Sequence, residues 1–309
     1  MLSVYKLKLD QPLTVAAGPH LRSTHSVQQF MWGTASALIP IWIASLIFFG
    51  WSSFRVLALA TGSAVGFEWL FQRAFQLRIS VHNGSGFLLG AVFAFLLPAS
   101  VPSMLVLLGA FFAVIVGKEF LGGLGQNLLH PALVSYVLLL TLFPAAFGAS
   151  VSAPTSGPLA LEVARVEWTE LWRFFLGCPR ETLGGASIVA VWIGGLIEVV
   201  KKWARFELPF FYLATVMIGT MAIGQNRVGD LFPGAIFFAA FFILTDTVTS
   251  PVTRNARMVF AVGCGLLTLV VRFWTAYDPL AIACAVLIMN ACVPALDRAF
   301  RSRRGAPAW

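Results

Sequence analysis

A carboxylate surrounded by hydroxyl groups follows an apolar run in segment 244–253, which reads LTDTVTSPVT. The carboxylate is Asp246, and the hydroxyl residues are Thr245, Thr247, Thr249, Ser250 and Thr253. Pro251 is expected to end the preceding helix, because proline lacks an N–H and disfavours helical backbone in the residue before it. The hydroxyls and freed backbone groups would form a polar socket at the membrane edge. The alternative is an ordinary helix end followed by a loop.

A second polar segment, 117–131, reads GKEFLGGLGQNLLHP and also interrupts apolar sequence. Its three central glycines, Gly125 among them, allow backbone to approach a ligand or a neighbouring helix closely. Gln126 and Asn127 each donate and accept hydrogen bonds, as recognition of the edge of a flat heterocycle requires. His130 is expected to cap the helix that begins at Pro131.

Charged side chains within apolar sequence are the other candidates for chemistry. Burying one in a membrane costs about 3 kcal/mol or more, so Glu68, Glu198 and Asp246 are functional candidates by default. Glu68 and Glu198 lie near the ends of their apolar runs, and reaching out to the membrane interface would also explain them. Lys118 and Glu119 are predicted to be a solvated ion pair.

The composition is that of a membrane protein. Of 309 residues, 59% are hydrophobic and 11% are charged, whereas soluble domains carry about 25% charged residues. The net charge is +8, and the basic residues fall in short loops between the apolar runs. They are therefore interpreted as determinants of membrane topology and not as a nucleic-acid surface. The four cysteines form no C-x-x-C pair and the four histidines no i, i+4 pair. The sequence therefore predicts no iron–sulfur, haem or zinc site and no catalytic residue.

Ten apolar runs approach the length of about 20 residues that a membrane span needs. They cover approximately 30–51, 54–74, 84–99, 101–117, 131–149, 184–200, 208–224, 231–245, 257–275 and 278–295. With both termini in the cytoplasm, most of the 21 lysines and arginines fall on the cytoplasmic side. The positive-inside rule favours that orientation and an even number of spans.

The two halves of the chain follow the same order of spans. Each half has two ordinary spans, a short one interrupted by glycine and proline, and two more. Five spans per half place the halves in opposite orientations, which is typical of inverted repeats with a site between broken helices. Chance similarity between apolar runs is the alternative. The predicted organisation is a cytoplasmic segment 1–29, a five-helix repeat 30–149, an outer-face loop 150–183, a second repeat 184–295 and a basic cytoplasmic tail 296–309.

Four segments carry a resemblance to a known family. They are 18–24 (GPHLRST), 117–127 (GKEFLGGLGQN), 244–253 (LTDTVTSPVT) and 287–294 (LIMNACVP). The chain resembles the RnfD/NqrB family, which comprises membrane subunits of Rnf electron-transport complexes and their homologues in sodium-pumping NADH:quinone reductases. The resemblance implies a ten-helix, all-α, flavin-carrying membrane protein. It would relay electrons across the bilayer within a multi-subunit complex, coupled to Na+ or H+ movement.

In this family FMN is joined through its phosphate to a threonine of a Ser/Thr-Gly-Ala-Thr motif in the outer loop before span six. Here the matching region 153–160 reads APTSGPLA, and 181–187 reads ETLGGAS where the family pattern is close to GSIGETS. Both departures argue against a covalent link. Thr155 is the nearest hydroxyl that could carry FMN, and riboflavin or loosely bound flavin is the alternative.

The resulting functional hypothesis is an Rnf-type membrane subunit that works through bound flavin. The residues expected at the flavin or the ion are Gly125, Gln126, Asn127, Asp246, Thr249, Ser250 and Thr253. The expected partners are other subunits, membrane lipid and Na+ or H+, without nucleic acid. A cofactor-free channel or transporter on the same fold, or a scaffold subunit without covalent flavin, are the alternatives.

Overall fold

A computed structural model describes residues 26–147, 175–176, 182–222, 234–275 and 278–300, and every regular element in these ranges is helical. The α-helices are α1 (Val27–Ala37), α2 (Ile39–Phe49), α3 (Trp51–Ala74), α4 (Ser85–Leu96), α5 (Ser103–Phe111), α6 (Pro131–Leu142), α7 (Ile188–Val200), α8 (Glu207–Ala222), α9 (Gly234–Phe238), α10 (Arg254–Thr275) and α11 (Asp278–Ala299). Thr155, most of the predicted loop 150–183 and most of both terminal segments lie outside the described residues.

Four helical stretches in the described ranges are long and apolar enough to cross a membrane. They are Val27–Phe49, which combines α1 and α2, Trp51–Ala74, Arg254–Arg272 and Asp278–Ala299. Between them lie shorter apolar helices of 10–17 residues. The prediction of an all-α integral membrane protein that crosses the bilayer several times is confirmed at this level.

Two of the short helices occupy the positions where the sequence predicts interruption. Helix α4 has 12 residues; Gly84 precedes it in the left-handed region with φ of 76°, and the extended residue Leu97 follows it. Helix α9 has five residues and continues as a π-helical turn, Ala239–Ile243. A second π-helical stretch, Phe112–Glu119, continues α5. Such wide turns occur often at functional sites.

The end of the second short helix differs from the expectation based on Pro251. The helix ends at Ile243, well before that proline. The Asp246 carboxylate accepts hydrogen bonds from the Thr249 hydroxyl at 2.9 Å and the Val248 N–H at 3.5 Å. Side-chain bonds of this local kind compete with helical backbone bonds. The turn around Asp246 therefore stops the helix, and Pro251 lies beyond it.

Close packing places the short helices in the centre of the protein. A Cβ atom on Gly90 of α4 would lie 2.7 Å from the Ala60 carbonyl oxygen of α3, so only glycine allows this approach. On the other side, Phe95 of α4 contacts Phe238 of α9, with ring centroids 5.5 Å apart. Helix α7 packs on α1 and α2, and α6 packs on α11. These contacts join the two halves around a common interior.

Candidate functional site

A largely apolar cavity with several polar and charged side chains on its wall lies where helices α1, α4 and α7 meet the two segments 117–131 and 244–253. Its volume is about 90 Å³, several times the roughly 10–15 Å³ that one water molecule needs. Its walls include Met31, Thr34, Ser85, Leu89, Lys118, Asn127, His130, Glu198, Phe242, Thr245, Asp246 and Thr247. Because both halves of the chain contribute polar groups, the cavity is the natural candidate for a functional site.

The structure brings together some of the site residues expected from sequence. Asn127 and Asp246, from different halves, line the same cavity. Thr249 is buried and donates its hydroxyl hydrogen bond to Asp246. Four others do not line this cavity: Gly125, Gln126, Ser250 and Thr253. Of these, Gly125 and Gln126 are exposed, and Gly125 has a positive φ of 89°.

His130 is a buried member of the cavity wall. Its side chain makes no cap for α6, although it immediately precedes Pro131. Burial lowers the pKa of His130, and the negative charge of Asp246 opposes that shift. The Nδ1 atom has no hydrogen-bond partner within the described residues. A neutral imidazole with one free nitrogen can exchange a hydrogen bond with a cavity water.

Asn290 of helix α11 links the two polar segments 117–131 and 244–253. This fully buried amide satisfies both neighbours when its oxygen faces His130: it then accepts a hydrogen bond from the His130 backbone N–H at 3.2 Å and donates one to the Thr249 carbonyl oxygen at 3.2 Å. Sequence reasoning did not select Asn290 as a site residue, although it lies in the family-like segment 287–294. The sequence signal that could have identified Asn290 is its position as a single asparagine within an apolar segment.

Replacing Asn290 with alanine is expected to destabilise the site, because it leaves a buried N–H and a buried carbonyl without partners. Each such group costs about 1–3 kcal/mol. Thermal unfolding of the purified complex should therefore begin several degrees lower. The matched control is Asn255→Ala on the exposed start of α10, which should leave the transition unchanged. Equal behaviour of the two variants would show that the Asn290 bridge does not stabilise the site.

Lys118 and Glu119 are not the solvated pair that the sequence predicts. Both are buried. The Lys118 ammonium lies 2.6 Å from Glu68 Oε1 and 3.7 Å from Glu119 Oε1, and it donates a hydrogen bond to the Ser85 hydroxyl at 2.7 Å. Gln72 donates further hydrogen bonds to both carboxylates. One buried cation is thus shared by two acids from different helices.

The alternative explanation, that Glu68 and Glu198 reach out to the membrane interface, does not agree with their burial. Glu68 is completely buried, because its carboxylate turns inward to Lys118. Glu198 is 2% exposed and lines the cavity. Both helices present these residues to the protein interior, where a polar partner or a cavity replaces the lipid headgroup region.

Several buried polar atoms around the cavity have no hydrogen-bond partner within the described part of the chain. They are Asn127 Oδ1 and His130 Nδ1, together with Glu198 Oε1 and Thr34 Oγ1, whose side chains interact with each other. Buried polar groups are normally paired, with protein or with ordered water. These groups make the cavity a candidate site for water, an ion or a polar ligand.

The cavity has room for several waters or a hydrated ion, with a volume of about 90 Å³. It is partly open to the surface, and the exposed residue Thr247 is among those that line it. Contact of a flavin with Asn127 or Asp246 stays a prediction. Thr155, the expected attachment point, lies outside the described residues.

The fold and the cavity define a class: an integral membrane protein with broken helices and buried acids between its halves. Residues 14–305 match the model of the NQR2, RnfD, RnfE family. The chain belongs to this family, which confirms the resemblance found in the sequence.

The chain is also similar to the D-type subunits of several named complexes. It is 31% identical over 301 residues to that of the Na(+)-translocating ferredoxin:NAD(+) oxidoreductase complex of Acetobacterium woodii, covering 94% of each chain. It is 30% identical to that of the proton-translocating ferredoxin:NAD(+) oxidoreductase complex of Clostridium ljungdahlii, covering 92% of this chain and 93% of the relative. A third relative, from the ion-translocating oxidoreductase complex of Stutzerimonas stutzeri, is 32% identical, covering 90% of this chain and 92% of the relative. Since similar relatives are named for different ions, similarity does not decide the ion.

Proposed function

We propose that this chain is the membrane subunit of an Rnf-type electron-transport complex and that it relays electrons across the membrane through bound flavin. The relay is coupled to Na+ or H+ movement through the cavity between the two halves. The observation that carries the ion path is the cavity itself, with Asp246 and Glu198 on its wall. Charged groups inside membranes are costly and mark ion pathways when they face a water-filled space.

The ion path requires the arrangement predicted from sequence, with ten spans in two inverted five-helix repeats. Packing within the halves supports it. The π-helical end of α5 packs on α3 and α6, and α10 correspondingly packs on α8 and α11. Across the halves α1 and α2 pack on α7, and α6 packs on α11, so equivalent spans meet in pairs. The excess of basic residues on one side supports cytoplasmic termini, and the bacterial relatives favour the inner membrane as the location.

The proposal includes a flavin because the resemblance to the RnfD/NqrB family implies a flavin-carrying subunit. A flavin accepts and passes on electrons singly or in pairs, whereas amino-acid side chains do not supply that chemistry. The proposed flavin is covalent FMN on Thr155 or a loosely held FMN or riboflavin, and we assign the described cavity to the ion. The cavity residues Asn127 and Asp246 then act on the ion. The relatives' names make ferredoxin and NAD(+) the first donor and acceptor to try.

The flavin proposal predicts a yellow, fluorescent purified complex. After denaturing electrophoresis, the band of this chain should fluoresce under ultraviolet light if the link is covalent, and Thr155→Ala should abolish that fluorescence. If the flavin is loosely held, the native complex should absorb as a flavin and release FMN or riboflavin on denaturation, with no change in Thr155→Ala. A complex without any flavin on this chain would refute the electron relay.

The alternative function, a cofactor-free ion channel or transporter, has one observation in its favour. The described cavity has room for water or an ion and carries two carboxylates on its wall. A colourless protein that carries Na+ or H+ into liposomes without an electron donor would establish it. A colourless protein that carries no ion, yet whose deletion disperses the complex, would instead identify a scaffold.

A further inference from the structure

Glu198 is a buried acid with an unusual position on the cavity wall. It lies near the end of α7, is 2% exposed and has a free Oε1 atom. Thr34 lies on the same wall, and its hydroxyl interacts with the Glu198 carboxyl group. Within the described residues no charged side chain pairs with this carboxyl group, which faces the cavity.

No counter-charge reaches Glu198 from the elements packed against its helix. These elements are α1, α2, the 3₁₀ turn Leu183–Gly185, α9 and its π-helical continuation. None of them contains an acidic or basic residue. Lys201 and Lys202 follow α7, but both are exposed. Within the described residues no ammonium or guanidinium group forms a salt bridge with Glu198, in contrast to Glu68, which has Lys118.

The charged and titratable groups that face Glu198 across the cavity are Lys118, His130 and Asp246. Lys118 is held at 2.6 Å by Glu68. His130 and Asp246 interact electrostatically with each other, and the His130 Nδ1 atom stays free. A buried carboxylate without a cation is much less stable than the neutral acid. The neutral acid also has an O–H group, which can donate a hydrogen bond to an unpaired acceptor on this wall.

We propose that Glu198 is a proton-binding residue of the ion path. It rests as the neutral acid, gives its proton to cavity water during turnover and takes one back from the same water. This inference rests on the proposed function, because it assigns a role in the same cavity. A proton is favoured over a metal cation because hard cations take about six or more oxygen ligands. Here the elements packed against α7 supply no second carboxylate, and most of the cavity surface is apolar.

Labelling of the purified complex with dicyclohexylcarbodiimide tests the proposal, because the reagent adds to protonated carboxyl groups in apolar surroundings. Mass spectrometry should find the adduct on Glu198, with a yield that falls as pH rises and does not change with added Na+. Glu68 is the matched control: it is equally buried, yet paired with Lys118, and should remain unlabelled. An unlabelled Glu198, or labelling that Na+ prevents, would overturn the proposal.

Two variants separate this role from a structural one. Glu198→Gln mimics the neutral acid, so the complex should assemble and unfold as the wild type while its ion translocation falls at least tenfold. Glu198→Asp keeps a proton-binding group and should restore part of the translocation. Wild-type translocation by Glu198→Gln would contradict the proposal for Glu198 alone. Absence of translocation in the wild-type complex, with labelling intact, would contradict the proposed function instead.

Discussion

Replacing Lys118 with methionine is expected to abolish most of the assembled protein. The change leaves the Glu68 and Glu119 carboxylates buried with only Gln72 and Ser85 as hydrogen-bond partners. Removing one partner from a buried ion pair costs about 3–5 kcal/mol, a large part of the total stability of many proteins. The amount of chain in the membrane and the unfolding temperature of the solubilised complex measure the effect.

A compensating change distinguishes an uncompensated charge from lost packing. Lys118→Met combined with Glu68→Gln removes the cation together with its closest anion, and should recover a substantial part of the assembled protein. Lys201→Met is the control, because Lys201 is exposed and belongs to no ion pair among the described residues. If the double variant were no more stable than Lys118→Met alone, the charge imbalance would not be the cause.

Replacing Asp246 with asparagine is expected to remove ion coupling while leaving the fold intact. Asparagine has nearly the same shape, and its oxygen can still accept the Thr249 hydroxyl hydrogen bond, while only the long 3.5 Å bond from the Val248 N–H is lost. What it loses is the negative charge on the cavity wall. A carboxylate about 4 Å from a cation attracts it by roughly 4 kcal/mol at an effective dielectric constant of 20. Since each 1.4 kcal/mol is a factor of ten, the affinity for the ion should fall about 100-fold or more.

The measurement is ion-dependent turnover of the complex in proteoliposomes, with flavin content and unfolding temperature as controls for integrity. Glu207→Gln is the matched variant, because it removes one negative charge outside the cavity, where Glu207 pairs with Arg254 and Arg257. That variant should keep the wild-type dependence on the ion. Unchanged ion dependence in Asp246→Asn would exclude this carboxylate from the path.

Some features of the site follow from sequence because they are local. Composition and run lengths predict an all-helical membrane protein, and glycine and proline predict the two short helices. The placement of Asp246 just beyond a helix end is likewise correct, although Pro251 is not what ends that helix. The family resemblance depends on short segments, and the match over residues 14–305 confirms it.

Other features depend on contacts between residues far apart in the chain. The bond from Lys118 to Glu68 joins positions 50 residues apart, and hydropathy carries no information about such a pair. The π-helical stretch Phe112–Glu119 adds a further reason. Its wider turns shift side chains from their α-helical positions, so an α-helical pattern does not place Lys118 correctly.

The sequence by itself therefore determined the class of protein, its helical order and the polar segments that interrupt the helices. Only the tertiary structure decided that Asn127 and Asp246 share a cavity, that Asn290 links their segments and that Glu198 faces inward. The physical reason is that membrane insertion responds to the apolar content of each segment separately, whereas buried polar groups are satisfied only by partners that helix packing brings to them.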